Sequence, residues 1–305
     1  LSDQRKVNQE LDLVFVGTSH CIFEDDLLSE FKAHKPKSQL ACPYGTNLTI
    51  YEPNLNKDDF YLIGVDTARS LTGAYNSIEV FSFTDFEQVA EFNYRLGSFN
   101  RFGEIIDHIF RWLAKQVGDN IIVAVENNTI GLAPIEYLLE IKDINYQNFL
   151  YKNPVKKNPG LKQSNKEEWG ISTTGTSKDL MIGCLVEILK ESPKVIKSQD
   201  LIDQLSAIER TRGGSISSET FSDLFMSTCF AAYARKMKAM EIMPLVSMGR
   251  AKFTEQKFNT FKDFIDINVG SNVPDNPESI SPYINAEAEI DQLIRAHEQK
   301  EDISL

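Results

Sequence analysis

The chain has 305 residues and a formal net charge of −12, from 32 basic and 44 acidic residues, with 42% hydrophobic and 10% aromatic content. That composition excludes wholesale disorder and supports a sizeable core, while the length suits about two domains, or one with long extensions. The acidic balance excludes a broadly basic, histone-like nucleic-acid binder, but not a DNA enzyme whose basic groove is local.

Cys21, Cys42, Cys184 and Cys229 stand far apart with no C-x-x-C spacing. They read as reduced thiols rather than a zinc site or a secreted disulfide framework. No apolar run nears the ~18 residues needed to span a bilayer, so no membrane association is expected. The opening Leu1, in place of Met, marks the chain as a piece of something longer.

In chain order, Val14–Gly17 is a short apolar segment that runs into Thr18-Ser19, and Glu24-Asp25-Asp26 opens a helix through Leu27, Leu28 and Phe31. The Pro/Gly/Asn-rich stretch Cys42–Asn47, followed by Pro53 and Asn54, reads as a linker. Tyr61–Val65 is a buried strand, and Ser77–Phe83 and Gln88–Tyr94 complete a meander with it. Phe102, Ile105, Ile106, Ile109, Phe110 and Leu113 repeat at helical spacing. Asn120–Val125 predicts a second buried strand, Ile130–Ile141 a helix and Phe149–Tyr151 a short strand. Residues 152–175 form a long polar excursion. Helices are expected around Leu180–Leu189, Leu201–Ile208 and Phe221–Met240, with a tight turn at Arg210–Ser215 between short strands. The order is mixed α/β. The division expected is 1–59 as N-terminal segment and linker, 60–240 as the catalytic domain, and 241–305 as an acidic extension. From Glu255 onward eleven acids face four bases.

Asp66 directly follows the first buried strand and Glu126 the second, at the carboxyl ends where α/β sheets place ligands. Either acid alone reads equally well as a turn acid; the pair reads as a site that shares a cation. Asp223, in Phe221-Ser222-Asp223-Leu224-Phe225-Met226, opens a strongly apolar helix. By itself it reads as an N-terminal acid of that helix. Three carboxylates near one point repel and need cations. Hard oxygen ligands select Mg²⁺ or Mn²⁺, and two such ions can clamp the attacking water and the leaving oxygen of a phosphodiester.

Gly64-Val65-Asp66-Thr67-Ala68, Tyr75–Phe81 and Glu87–Ala90 resemble the first hairpin of the nuclease domain of tailed-phage terminase large subunits. Val123–Gly131 is similar to that family's second motif, and Ser222-Asp223-Leu224-Phe225-Met226-Ser227 to its third. The resemblance covers roughly 60–240, and Val14–Ser19 looks like the segment joining the family's motor to its nuclease. It implies a ribonuclease H-like mixed sheet flanked by helices. The implied activity is endonucleolytic cutting of double-stranded concatemeric viral DNA during packaging in the host cytoplasm. Portal and small terminase subunit are the implied partners of the parent assembly. Asp66, Glu126 and Asp223 take the metal-ligand roles by motif position, for Mg²⁺ or Mn²⁺ and two ions. Two positions depart from the family: Ala74, where many relatives have Asp before the Tyr, and Ser222, where the third motif has the first of two aspartates. Each departure removes a carboxylate that a second ion would use. No G-x-x-x-x-G-K-[ST] loop occurs, so the family's ATPase motor is absent from this chain.

Lys152, Lys156, Lys157, Lys162, Lys166 and Lys178 cluster in a stretch with few acids, and Arg210 and Arg212 flank Gly213-Gly214. They are the expected phosphate contacts for DNA. Trp169 reads as a loop anchor, and no histidine is given a role. Three alternatives remain: a junction resolvase of similar fold, a catalytically weak DNA-interaction module, and an actin-like ATPase or sugar kinase. The last lacks its Gly-rich phosphate loops.

Overall fold

The structure, a computed structural model, describes residues 21–68, 75–96, 98–128, 132–152, 169–210, 216–218 and 223–247. All of these belong to the first of two compact units, which ends at Lys257. The expectations for Val14–Ser19 and for the acidic tail lie outside the described residues.

Six strands form one sheet in the order β1-β2-β5-β4-β3-β6. They are β1 (Ser38–Cys42), β2 (Thr46–Ile50), β3 (Tyr61–Asp66), β4 (Asn76–Ser82), β5 (Gln88–Tyr94) and β6 (Ile121–Val125). Neighbours are antiparallel except β3 and β6, which run parallel. The described helices are α1 (Asp25–Glu30), α2 (Phe99–Val117), α3 (Leu132–Glu140), α4 (Gly175–Glu191), α5 (Gln199–Ala207) and α6 (Asp223–Ser247). Two short strands, β7 (Ile208–Arg210) and β8 (Ile216–Ser218), pair separately. The mixed α/β expectation holds.

Alternation assigns the two faces of the sheet. Ile63, Val65, Ile78, Val80, Val123 and Val125 point to one face, where they form a core with Phe102, Ile105, Ile106, Ile109, Phe110 and Leu113 of α2. Their 3- and 4-residue spacing makes one apolar stripe on α2. The opposite face takes α6, whose residues Leu224 to Ala232 are all buried. A helix that is apolar on every side belongs inside, with α4, α5 and the sheet around it.

The linker expected near 42–54 is corrected. Residues 38–50 form the β1–β2 hairpin, and β2 extends the sheet by pairing with β5. Pro43, with Tyr44 at φ 64° and Gly45 at φ 70°, makes the tight reversal. In β2, Thr46, Leu48 and Ile50 alternate inward and are buried. The Pro/Gly/Asn punctuation is therefore the turn of a hairpin. The short strand expected at Phe149–Tyr151 is a single bridge, Leu150 to Val123, beside β6. The boundary expected at 240 falls inside α6, which stays packed through Ile242 and Leu245.

Two acids that were given no role from the sequence sit deep in the sheet. Glu79 and Glu91 are direct cross-strand partners, both buried. Gln88 Nε2 donates to Glu79 Oε2 at 2.8 Å, while Gln88 Oε1 accepts from the Lys197 and Ser198 amides at 2.7 and 2.8 Å. Glu79 Oε1 and Glu91 Oε2 have no other donor, so a proton held between the two carboxyls satisfies both. Burial, with the neighbouring charge of Glu91, pushes Glu79 well up, and burial raises Glu91 from 4.5 to about 7. An acid whose folded pKa is raised binds its proton more tightly when folded. Its stabilising contribution is complete below the unfolded value and is lost as pH climbs to the folded value. The Glu91 part of that stability should therefore be lost between about pH 4.5 and about pH 7, so the melting temperature should fall across that range. Glu91→Gln should flatten that decline. Thermal melts across pH 4–8 check it, and an unchanged slope in Glu91→Gln would assign the decline to other groups.

Candidate active site

The parallel register between β3 and β6 builds the first half of the site. Gly64 lies beside Ala124 and Val65 beside Val125, so one further step sets Asp66 beside Glu126. The Glu126 amide donates to the Val65 carbonyl at 3.1 Å, which carries the pairing to that step. Both acids share parity with Gly64 and Ala124 and thus face α6. Adjacent strands are ~4.8 Å apart, so the two side chains leave neighbouring points on one face.

Asp223 is delivered by α6. A Cβ on Gly64 would lie 2.0 Å from the Ser227 carbonyl oxygen and 3.1 Å from Ala231 Cβ. Only glycine allows the helix backbone to touch the strand there. From Gly64 to Asp66 is ~7 Å of strand. From Ser227 back to Asp223 is one helical turn, ~6 Å of rise. The two acids therefore lie at the same end of the contact. The Tyr75 amide, just before β4, donates to Asp223 Oδ2 at 3.4 Å, while β4 pairs Ser77 with Asp66. Burial raises the Asp223 carboxyl, against the pull of the Tyr75 amide and of the Arg95 charge.

Glu126 is buried and both its oxygens are held. Thr173 Oγ1 donates to Oε1 and Asn128 Nδ2 donates to Oε2. Thr173 is placed by a short run that zips onto the free edge of β6. Trp169 bridges Lys152, the Gly170 amide bonds the Tyr151 carbonyl, and the Ile171 amide bonds the Val125 carbonyl at 2.8 Å. Gly170 holds φ 85°, where a Cβ would meet the Val125 carbonyl at 2.7 Å. Immediately after Thr173, Thr174 and Ser177 form the capping box that starts α4.

Register thus brings Asp66 and Glu126 together, and Asp223 reaches the same sheet end from α6. Among the described residues no three His, Cys, Asp or Glu side chains close into a cage around an ion. The donors at this end are nevertheless all hard oxygens, from Asp66, Glu126, Asp223, Thr173 and the Asn128 carboxamide. Such a set suits Mg²⁺ or Mn²⁺. Cys229, close enough to feel the charge of Asp66, is fully buried and burial pushes its thiol well up, so it does not compete as a thiolate.

Of the expected phosphate contacts, Lys152 is exposed with its Nζ 4.3 Å from the centre of the Trp169 ring. Trp169 in turn packs against the core, as a loop anchor would. Lys178 sits in the first turn of α4 and, like Asp66, acts on Cys229. Lys156, Lys157, Lys162, Lys166, Arg212 and the Arg210 side chain lie outside the described residues, as do Ala74 and Ser222. Thr173 and Arg95 carried no sequence signal, and Tyr75 appeared only within the first-hairpin motif; strand register and the return of the chain onto β6 bring them to the acids.

No family model matches the chain, and no curated protein is similar to it in sequence. Solved structures do resemble it. The large terminase nuclease from thermophilic phage G20c with bound cobalt superposes at a TM-score of 0.50 and 14% identity, covering 71% of this chain and 98% of that one. The magnesium-bound form of that nuclease gives 0.49 at 13% identity over the same shares. The Thermus phage P74-26 large terminase nuclease domain gives 0.46 at 14% identity, covering 67% of this chain and 91% of that one. The chain therefore has a ribonuclease H-like α/β fold. It is the fold of a large terminase nuclease. No described helix is long and apolar enough to cross a membrane.

The Gly64 contact is directly testable. Gly64→Ala should lower the melting temperature by several degrees, since overpacking a rigid backbone contact costs ~1–3 kcal/mol. Ala124→Gly, on the same face one strand away, should cost less. Equal effects would mean that α6 does not ride on β3 at this point.

Proposed function

We propose that this chain is a metal-dependent endonuclease that cuts double-stranded viral DNA during genome packaging. The observation that carries the reading is the pair Asp66 and Glu126, side by side at the carboxyl ends of two parallel strands, with Asp223 brought to the same end by α6. The shared fold with a large terminase nuclease supports the substrate class.

In this reading Asp66, Glu126 and Asp223 hold Mg²⁺ or Mn²⁺, with two ions as the expected number. Bound ions would supply an activated water and charge stabilisation for the leaving oxygen. The chain's own residues do the positioning. Asp66 leaves a strand end fixed on both sides by β4 and β6. Thr173 and Asn128 hold the plane of the Glu126 carboxylate, so a cation meets oriented lone pairs. Asp223, raised by burial, gives up its proton more readily when a cation replaces lost solvation. Lys152 lies beside β6 and fits a phosphate contact at the edge of the cut.

Asp66→Asn, Glu126→Ala and Asp223→Ala should each abolish nicking of plasmid DNA in Mg²⁺. In metal-free buffer Asp66→Asn and Asp223→Ala should melt at or above the parent, because a repelled or buried carboxylate is removed, while Glu126→Ala, which strips Thr173 and Asn128 of their acceptor, should melt lower. Mn²⁺ should raise the parent's melting temperature and leave that of each variant unmoved. Near-parental nicking in any variant removes that residue from the ligand set. An unmoved parent, with no nicking, overturns the nuclease reading.

A further inference from the structure

We propose that Arg95 and Arg101 form a track for DNA backbone phosphates that leads from Asp66 and Asp223 across the β4, β5 and β2 end of the sheet. This deepens the DNA reading of the site and rests on it.

Both arginines lie at the end of the sheet that carries the acids. Asn76 pairs with Tyr94, so the next step sets Tyr75 beside Arg95. The Arg95 guanidinium lies 4.6 Å from the centre of the Tyr75 ring, and its charge acts on Asp223. β2 runs antiparallel to β5, which carries its preceding turn to the carboxyl end of β5. Tyr44 stands in that turn, and α2 begins just beyond β5. There Arg101, in the first turn of α2, lies 4.8 Å from the centre of the Tyr44 ring. Tyr44 is 44% exposed and holds a left-handed φ of 64°. A large ring kept in solvent in that conformation gains little from burial, whereas it does hold a cation in place.

The chemistry favours phosphate. A guanidinium laid on a ring loses little further freedom on binding and keeps its N–H fork for an anion. Both arginines are exposed. From β4 to β2 is two strand spacings, ~10 Å. That matches about three nucleotides of rise at 3.4 Å per strand. On the other flank Lys152 lies on Trp169 in the same manner, so ring-held cations border the acids on both sides. In a chain of net charge −12, such fixed cations add local attraction for a polyanion. Glu104, one turn beyond Arg101, accepts the Tyr44 hydroxyl and opposes a phosphate at this point.

The test is binding of a short random-sequence DNA duplex to the full chain in EDTA, by fluorescence anisotropy over a series of NaCl concentrations. Arg95→Ala and Arg101→Ala should each lower the slope of log affinity on log salt by about 0.9, the value of one phosphate contact. Arg101→Lys should keep the slope, and Glu104→Gln should tighten binding. The loss should be equal on unrelated sequences, since phosphates carry no base identity. Parental slopes in both alanine variants, at unchanged melting temperature, overturn the track, as does a loss confined to one sequence. The two readings fail separately. A parent that binds through these arginines but never nicks in Mg²⁺ keeps the track and loses the nuclease. A parent that nicks while both alanine variants keep its salt slope loses only the track.

Discussion

The backbone contact between α6 and β3 at Gly64 is the constraint on which the rest depends. A helix normally packs on a sheet through side chains, about 10 Å away. Here the Ser227 carbonyl occupies the space of a missing Cβ, and Ala231 sits against the same spot. So close a seat fixes the helix along the strand as well as against it. It determines which turn of α6 stands over the carboxyl end of β3, and that turn begins with Asp223. The alanines and the buried Ser227 and Thr228 on this stretch follow from the same demand. Their hydroxyls bond the Leu224 carbonyl within the helix, so they add no unmet polar group to the dry interface.

The sheet meets that constraint from its side. β3 and β6 are parallel and buried, as continuous apolar runs, and both lead to an acid at the same level. Parallel register is what turns two sequence-distant acids into neighbours. Antiparallel pairing of the same segments would send Glu126 to the far end of the sheet from Asp66. Glu79 and Glu91 show how different a buried acid is without that exposure. Deep in the strands, they share a proton; Glu79 accepts from Gln88, whose Oε1 accepts from the Lys197 and Ser198 amides and ties the sheet to the segment before α5. They are structural acids, whereas Asp66 and Asp223, at their strand and helix ends, stay partly exposed.

Much of the fold was legible in the sequence. Tyr61–Val65, Ser77–Phe83, Gln88–Tyr94 and Asn120–Val125 are strands because apolar and β-branched residues fill them, and the α2 stripe shows directly in its spacing. The β1–β2 hairpin was misread because Pro43, Tyr44 and Gly45 interrupt two short strands of mixed polarity, and local composition cannot separate a turn from a linker. The acids were visible at their strand and helix ends. Their support was not. Thr173 reaches Glu126 across a large sequence separation, and Arg95 reaches Tyr75 by cross-strand register; both are tertiary facts with no local pattern.

The electrostatic logic of the surface follows from the same arrangement. Acids gathered at one sheet end repel a polyanion as well as one another, so under the proposed DNA reading cations are needed on both flanks of the acids, close enough to offset their field. Free lysines on long stems would offer that charge at the cost of side-chain entropy on each contact. Tyr75, Tyr44 and Trp169 lower that cost by holding Arg95, Arg101 and Lys152 in advance. In the proposed reading the aromatic residues at the edge of the site set these cations in place for phosphates, on either side of the acids that would hold a divalent cation.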